Sequence, residues 1–97
     1  MKDLDRVRVY EAVFDQFGEA HQTLKTIEEL AELQRALVRD FIGEPMAKVN
    51  VQEELADVLI MLDQMTYIYD RAEIADWKNS KLERLARLVG VEIEEET

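Results

Sequence analysis

Two short phrases in this chain have residue types and spacing that could do chemistry: "EELAE", Glu28 to Glu32, and "ELAD", Glu54 to Asp57. Each holds a pair of carboxylates three residues apart, Glu29 with Glu32 and Glu54 with Asp57. On a helix, residues at that separation share a face. If the two helices lie antiparallel, the pairs fall at heights where they can meet. Four converging oxygen ligands suit Mg²⁺ or Mn²⁺, hard cations that prefer carboxylates and water. The competing explanation is surface ion pairing, such as Lys25 with Glu29 or Glu32 with Arg35 or Arg39. It serves Glu28, which points away from the row, and Glu53, which a helix cap claims. It fits Glu54 and Asp57 poorly, because no basic residue lies three or four positions from either.

The elements that must position these groups are helical. Pro45, Gly18, Gly43 and Gly90 punctuate segments with helical periodicity and little strand alternation. The pattern predicts a first helix from about Asp3 to Phe17, stopped by Gly18, and a second from about Glu19 to Phe41. The third starts at Asn50, a good N-cap that makes a capping box with Glu53, and runs to about Tyr69. A shorter fourth helix spans about Ile74 to Val89 and ends at Gly90. The "EIEEET" tail is a like-charge run expected to fray. The expected fold is all-α, a single domain over 1–97, with the second and third helices paired antiparallel across a short turn.

On the second helix, Ile27, Leu30, Ala31, Leu37, Val38 and Phe41 form an apolar stripe. Gln22, Lys25, Glu29, Glu32 and Ala36 form a separate polar row on the far side. On the third, Val51, Leu55, Val58, Leu62, Met65 and Tyr69 make the main apolar face, flanked by the row Glu54, Asp57, Met61, Gln64 and Ile68. Ala56, Ile60 and Tyr67 make the opposite flank apolar too, so only a narrow arc through Gln52, Asp63 and Asp70 reads as solvent-facing. A helix apolar nearly all round is a buried, central one. Carboxylates there must be neutralised, hydrogen-bonded or bound to a cation.

Composition narrows the function. A 97-residue chain buries only about 60–65% of the surface its unfolded form exposes, so association is a fair expectation. The 22 acidic and 12 basic residues give a charge of −10, which disfavours nucleic acid polymers and anionic membranes as partners. Free nucleotides are repelled as well, unless a divalent cation stands between protein and phosphate. There is no cysteine, hence no disulfide or thiolate metal site. The N-terminus does not read as a secretory signal, and nowhere do about 18 apolar residues run together. A soluble, cytoplasmic protein is expected.

The order EExxE, a spacer of some twenty residues, then ExxD resembles the MazG-like all-α nucleoside triphosphate pyrophosphohydrolases. "FGEAHQTLKTIEELAELQRAL" resembles the family's lead-in and first acidic motif, "NVQEELADVLIMLDQM" its second metal helix, and "KNSKLERLARL" the basic fourth helix of small phage-type and bacterial members. The similarity spans roughly Phe17 to Leu88, with Phe17 where many relatives carry tryptophan. It implies a bundle of about four helices completed by homodimerisation, sometimes doubled to a tetramer. It implies Mg²⁺, with Mn²⁺ as a substitute, held by Glu29, Glu32, Glu54 and Asp57. The implied reaction turns a nucleoside triphosphate and water into nucleoside monophosphate and pyrophosphate, and clears aberrant or surplus nucleotides.

The residues themselves suit that chemistry. A metal ion bridges carboxylates to phosphate oxygens and polarises phosphorus toward attack. A water held by the metal or by a spare carboxylate would be the nucleophile, which makes Glu28 and Glu29 the catalytic candidates. Lys81 and Arg84, with Lys78 and Lys25, could counter the charge of the leaving pyrophosphate. Gln22, the glutamine of the lead-in, joins them as a substrate-contact candidate. His21, the one histidine, reads as a surface residue, and Trp77 as the anchor of the fourth helix in the bundle. Two alternatives stay open: an enzyme acting on another pyrophosphate-bearing nucleotide such as phosphoribosyl-ATP, and a non-catalytic helical dimer that binds metal, nucleotide or a protein partner.

Overall fold

A computed structural model describes residues 1–94, and within them the regular structure is helical throughout: α1, Asp3–Phe41; α2, Ala47–Met65; and α3, Arg71–Val89. The all-α expectation is met, and no strand occurs among the described residues. The end of the tail expected to fray, residues 95–97, lies outside them.

Gly18, expected to stop a helix, does break the helical run, and the chain bends there between the two halves of α1. Its φ of 85° and ψ of 163° are not helical, and that backbone region is open essentially to glycine alone. Before this bend the segment 3–17 lies against α2, where the Arg6 guanidinium donates to Asp63 Oδ2 at 2.5 Å and the Tyr10 hydroxyl donates to the same oxygen at 2.9 Å. The Tyr10 and Tyr67 rings meet edge to face, 5.7 Å between centroids. Asp63, expected in solvent, is therefore half-buried and paired.

The turn after α1 closes by two bonds: Gly43 N–H donates to the Asp40 carbonyl and Glu44 N–H to the Arg39 carbonyl, each at 3.0 Å. This is the Schellman arrangement, which needs the left-handed glycine that Gly43 supplies at φ 83°. The chain leaves it through Pro45 and Met46, the latter at φ 65°, so α2 begins at Ala47. Asn50 is thus already inside the helix and caps nothing. The other end of α2 also differs from expectation, because three-residue turns formed by Tyr67 N–H to Gln64 and Ile68 N–H to Met65 tighten the chain after Met65. α3 starts earlier than its apolar pattern suggests, since Asp70 accepts from the Glu73 N–H at 3.1 Å and caps it.

α1 and α2 form an antiparallel hairpin, as the pairings of Asp40 with Lys48 and of Gln22 with Gln64 require. The faces meet the other way round from the hydropathy reading. The polar row of α1 turns inward, with Gln22, Thr26, Glu29 and Ala36 buried, while Ile27, Leu30, Leu37 and Val38 stay exposed and Phe41 is 91% exposed. α2 turns inward Val58 of its expected apolar face together with Met61 and Gln64 of the flanking row, and leaves Leu55, Leu59, Ile60 and Leu62 open. Within one chain α2 is therefore half-covered rather than central. The core is small: Tyr10, Ala36, Ala47, Val58 and Met61 are its buried apolar residues.

α3 packs against neither α1 nor α2. Arg71 ties its start to the end of α2, donating to Thr66 Oγ1 and stacking over Tyr67 at 4.2 Å. Trp77, expected as an anchor, is 58% exposed. Among the described residues, no helix is long and apolar enough to cross a membrane.

Candidate functional site

The inward turn of the polar rows builds the site. At the loop end of the hairpin the small side chains of Ala36 and Ala47 are buried and let the helices close. At the far end, the amides of Gln22 and Gln64 bond across them at 2.8 Å. The acidic residues lie between these two fixed points. Glu29 from α1 and Glu54 and Asp57 from α2 each offer a carboxylate oxygen, and the three oxygens lie within 4.8 Å of one another. Glu29 is only 7% exposed, Glu54 is half-buried, and Asp57 opens the cluster to solvent.

Charge at the cluster is poorly compensated. Lys25 Nζ stands 3.3 Å from Glu29 Oε1 and 3.8 Å from Glu28, and these carboxylates hold its pKa above the ordinary value, the hydrogen bond to Glu29 most strongly. Among the described residues no other cation pairs with the group: Glu32, Glu54 and Asp57 form no salt bridge. Burial pushes the Glu54 carboxyl above its usual range, and the negative charges of Glu32, Asp57, Glu29 and Glu53 push the same way. Two oxygens, Glu29 Oε2 and Glu54 Oε2, are buried and accept no hydrogen bond. Buried acceptors left bare are costly to the protein alone. An all-oxygen donor set on Glu29, Glu54 and Asp57 fits a hard divalent cation.

Beside the cluster is a second polar layer. His21 Nδ1 lies 2.7 Å from Gln22 Oε1, and its ring stacks on Phe17 at 5.0 Å between centroids. Thr26 donates back to the Gln22 carbonyl. Gln22 is thus held from both ends of its amide, with His21 and Phe17 on the outer side.

Of the metal-ligating candidates, the structure brings Glu29, Glu54 and Asp57 together; Glu32, half-buried one turn along α1, is close enough to raise the Glu54 pKa but stands outside the tight group. Glu28 lies exposed on the rim beside Lys25. Lys25 and Gln22 belong to the site's own row. Lys78, Lys81 and Arg84 sit on α3 and are not brought to the cluster within one chain. Gln64 joins the site as the partner of Gln22, and its place in the row of Glu54 and Asp57 is the signal in the sequence that marks it. No family model, no curated protein and no solved structure matches the chain.

Proposed function

We propose that this protein is a Mg²⁺-dependent nucleotide pyrophosphohydrolase, converting a nucleoside triphosphate and water to nucleoside monophosphate and pyrophosphate. The observation that carries the proposal is the pair of buried, bare carboxylate oxygens on Glu29 and Glu54, within reach of Asp57. Support also comes from the resemblance of the two acidic motifs and their flanks to the MazG-like family. Glu29, Glu54 and Asp57 would hold the cation, with Glu32 completing the set as the helices settle on it. A divalent cation held there would supply charge neutralisation for the phosphates and acidify the attacking water. Glu28, exposed and paired with Lys25, would accept the proton of the attacking water. Lys25, whose ammonium stands 3.3 Å from Glu29 Oε1, would offer its charge to the phosphates. Gln22, a substrate-contact candidate by sequence, is buried with its amide engaged by Gln64 and His21, and would fix the helix register beside the nucleotide rather than touch it.

The bundle would be completed by a second copy, as a homodimer or a tetramer built from dimers, because the outward faces of the hairpin carry Ile27, Leu37, Val38 and Leu59 in the open. Mn²⁺ would substitute for Mg²⁺. The test is pyrophosphate release from a panel of ribo- and deoxyribonucleoside triphosphates with Mg²⁺, beside Glu54→Gln and Asp57→Asn. Equimolar monophosphate and pyrophosphate, lost in both variants and with a chelator while helicity is kept, is the expected result. Turnover that survives both substitutions would overturn the proposal.

A further inference from the structure

α3 is the most isolated element of the fold. It packs on neither helix of its own chain, and none of its residues is buried. Yet Ile74, Trp77, Leu85 and Leu88 lie on one face at helical spacing, all exposed, with Lys81 among them and its ammonium 6.0 Å from the centre of the Trp77 ring. A helix with an apolar face gains little stability until that face is covered.

The size of the uncovered surface says what kind of partner is missing. The chain exposes 8168 Å², whereas a compact monomer of 11.3 kDa exposes about 5,700 Å². Its radius of gyration is 17.0 Å against about 12.5 Å for a compact domain of this length. The excess of about 2,400 Å² matches what one subunit buries in an obligate homodimer, roughly 1,000–2,500 Å² a side.

Charge points to the same occupant. The stretch 71–89 carries five basic and three acidic residues, a local charge of +2 in a chain of −10, which leaves −12 on the remainder. A second copy therefore offers α3 both an open apolar hairpin face and a surface of opposite sign.

We infer that α3 is an exchanged arm, packing its Ile74–Trp77–Leu85–Leu88 face on the hairpin of a second copy rather than on its own. The inference concerns the arm alone and stands or falls apart from the hydrolase reading.

Trp77 is the one tryptophan, so its emission reports directly on the arm. The experiment follows the full chain over a dilution series by sedimentation and by Trp77 emission with acrylamide quenching. Expected is a blue shift and loss of quenching that track dimer formation, with the double variant Leu85→Ser, Leu88→Ser weakening the dimer at least tenfold while keeping α1–α2 helicity. A dimer in which Trp77 stays open to acrylamide would overturn the inference while leaving a hairpin-mediated dimer intact. A shielded Trp77 in the monomer, showing the arm folded on its own chain, would overturn it too, as would a chain that stays monomeric throughout.

Discussion

Replacing Gln64 by leucine removes the one hydrogen bond that joins α1 and α2 through buried amides. Gln22 and Gln64 are 5% and 4% exposed, and the Gln22 amide donates to Gln64 Oε1 at 2.8 Å. Its own oxygen is engaged by His21, so the amide cannot swing round to find a new acceptor without giving up that contact. In Gln64→Leu the Gln22 N–H is stranded in the interface, a loss of about 1–3 kcal/mol. In a domain of this size that lowers Tm by roughly 5–20 °C. The double variant Gln22→Leu, Gln64→Leu strands nothing and should lie within about 1 kcal/mol of wild type, since removing both partners of a buried pair is nearly neutral. The assay is a double-mutant cycle by chemical denaturation at pH 7, with helicity as the probe and a chelator present. A coupling of about 1–3 kcal/mol is expected. Costs that simply add, with the double variant the least stable of the set, would show that the amides are not paired, and the register that places Glu29 opposite Glu54 would lose its anchor.

Two further outcomes follow from other features. Glu54 has a folded pKa above its ordinary 4.5, so the ionised group opposes folding above that raised value. The penalty fades as pH falls through it and is gone below about 4.5, where the unfolded group is protonated as well. Glu54→Gln should therefore stabilise the metal-free protein at neutral pH, and the advantage should shrink on acidification; a Tm difference that stays flat from pH 8 to pH 4 in chelator would contradict the assignment. Gly18→Ala should cost about 1–3 kcal/mol, because φ 85° and ψ 163° are strained for any residue with a Cβ although the added methyl meets open space; unchanged Tm in thermal unfolding would mean that the bend at Gly18 relaxes freely.

The acidic rows were legible because helical periodicity fixes which side chains share a face, whatever that face packs against. Which of the two faces turns inward was not. Hydropathy assigns the apolar stripe of α1 to the interior, yet within one chain Gln22, Glu29 and Ala36 are buried and Ile27, Val38 and Phe41 are not. A pattern along one strand of sequence marks surface that is to be covered, without saying whether by the same chain or by another. Gly18 was legible as a breakpoint but not as a bend, since its destination is set by Arg6 and Tyr10 meeting Asp63 more than fifty residues away in sequence. The start of α2 was misplaced for a local reason. Asn50 has the right chemistry for a cap, but the Schellman turn at Gly43 delivers the chain to helical geometry at Ala47 before Asn50 is reached.

The central claim is that the bare oxygens of Glu29 and Glu54, with Asp57, form a divalent cation site. Calorimetric titration of the chelator-treated protein with Mg²⁺, repeated with Mn²⁺, tests it most directly. Saturable binding in the wild type, abolished in Glu54→Gln and in Asp57→Asn with helicity unchanged, is the predicted result. Binding of equal strength in the wild type and both variants, or no saturable binding at all, would contradict it.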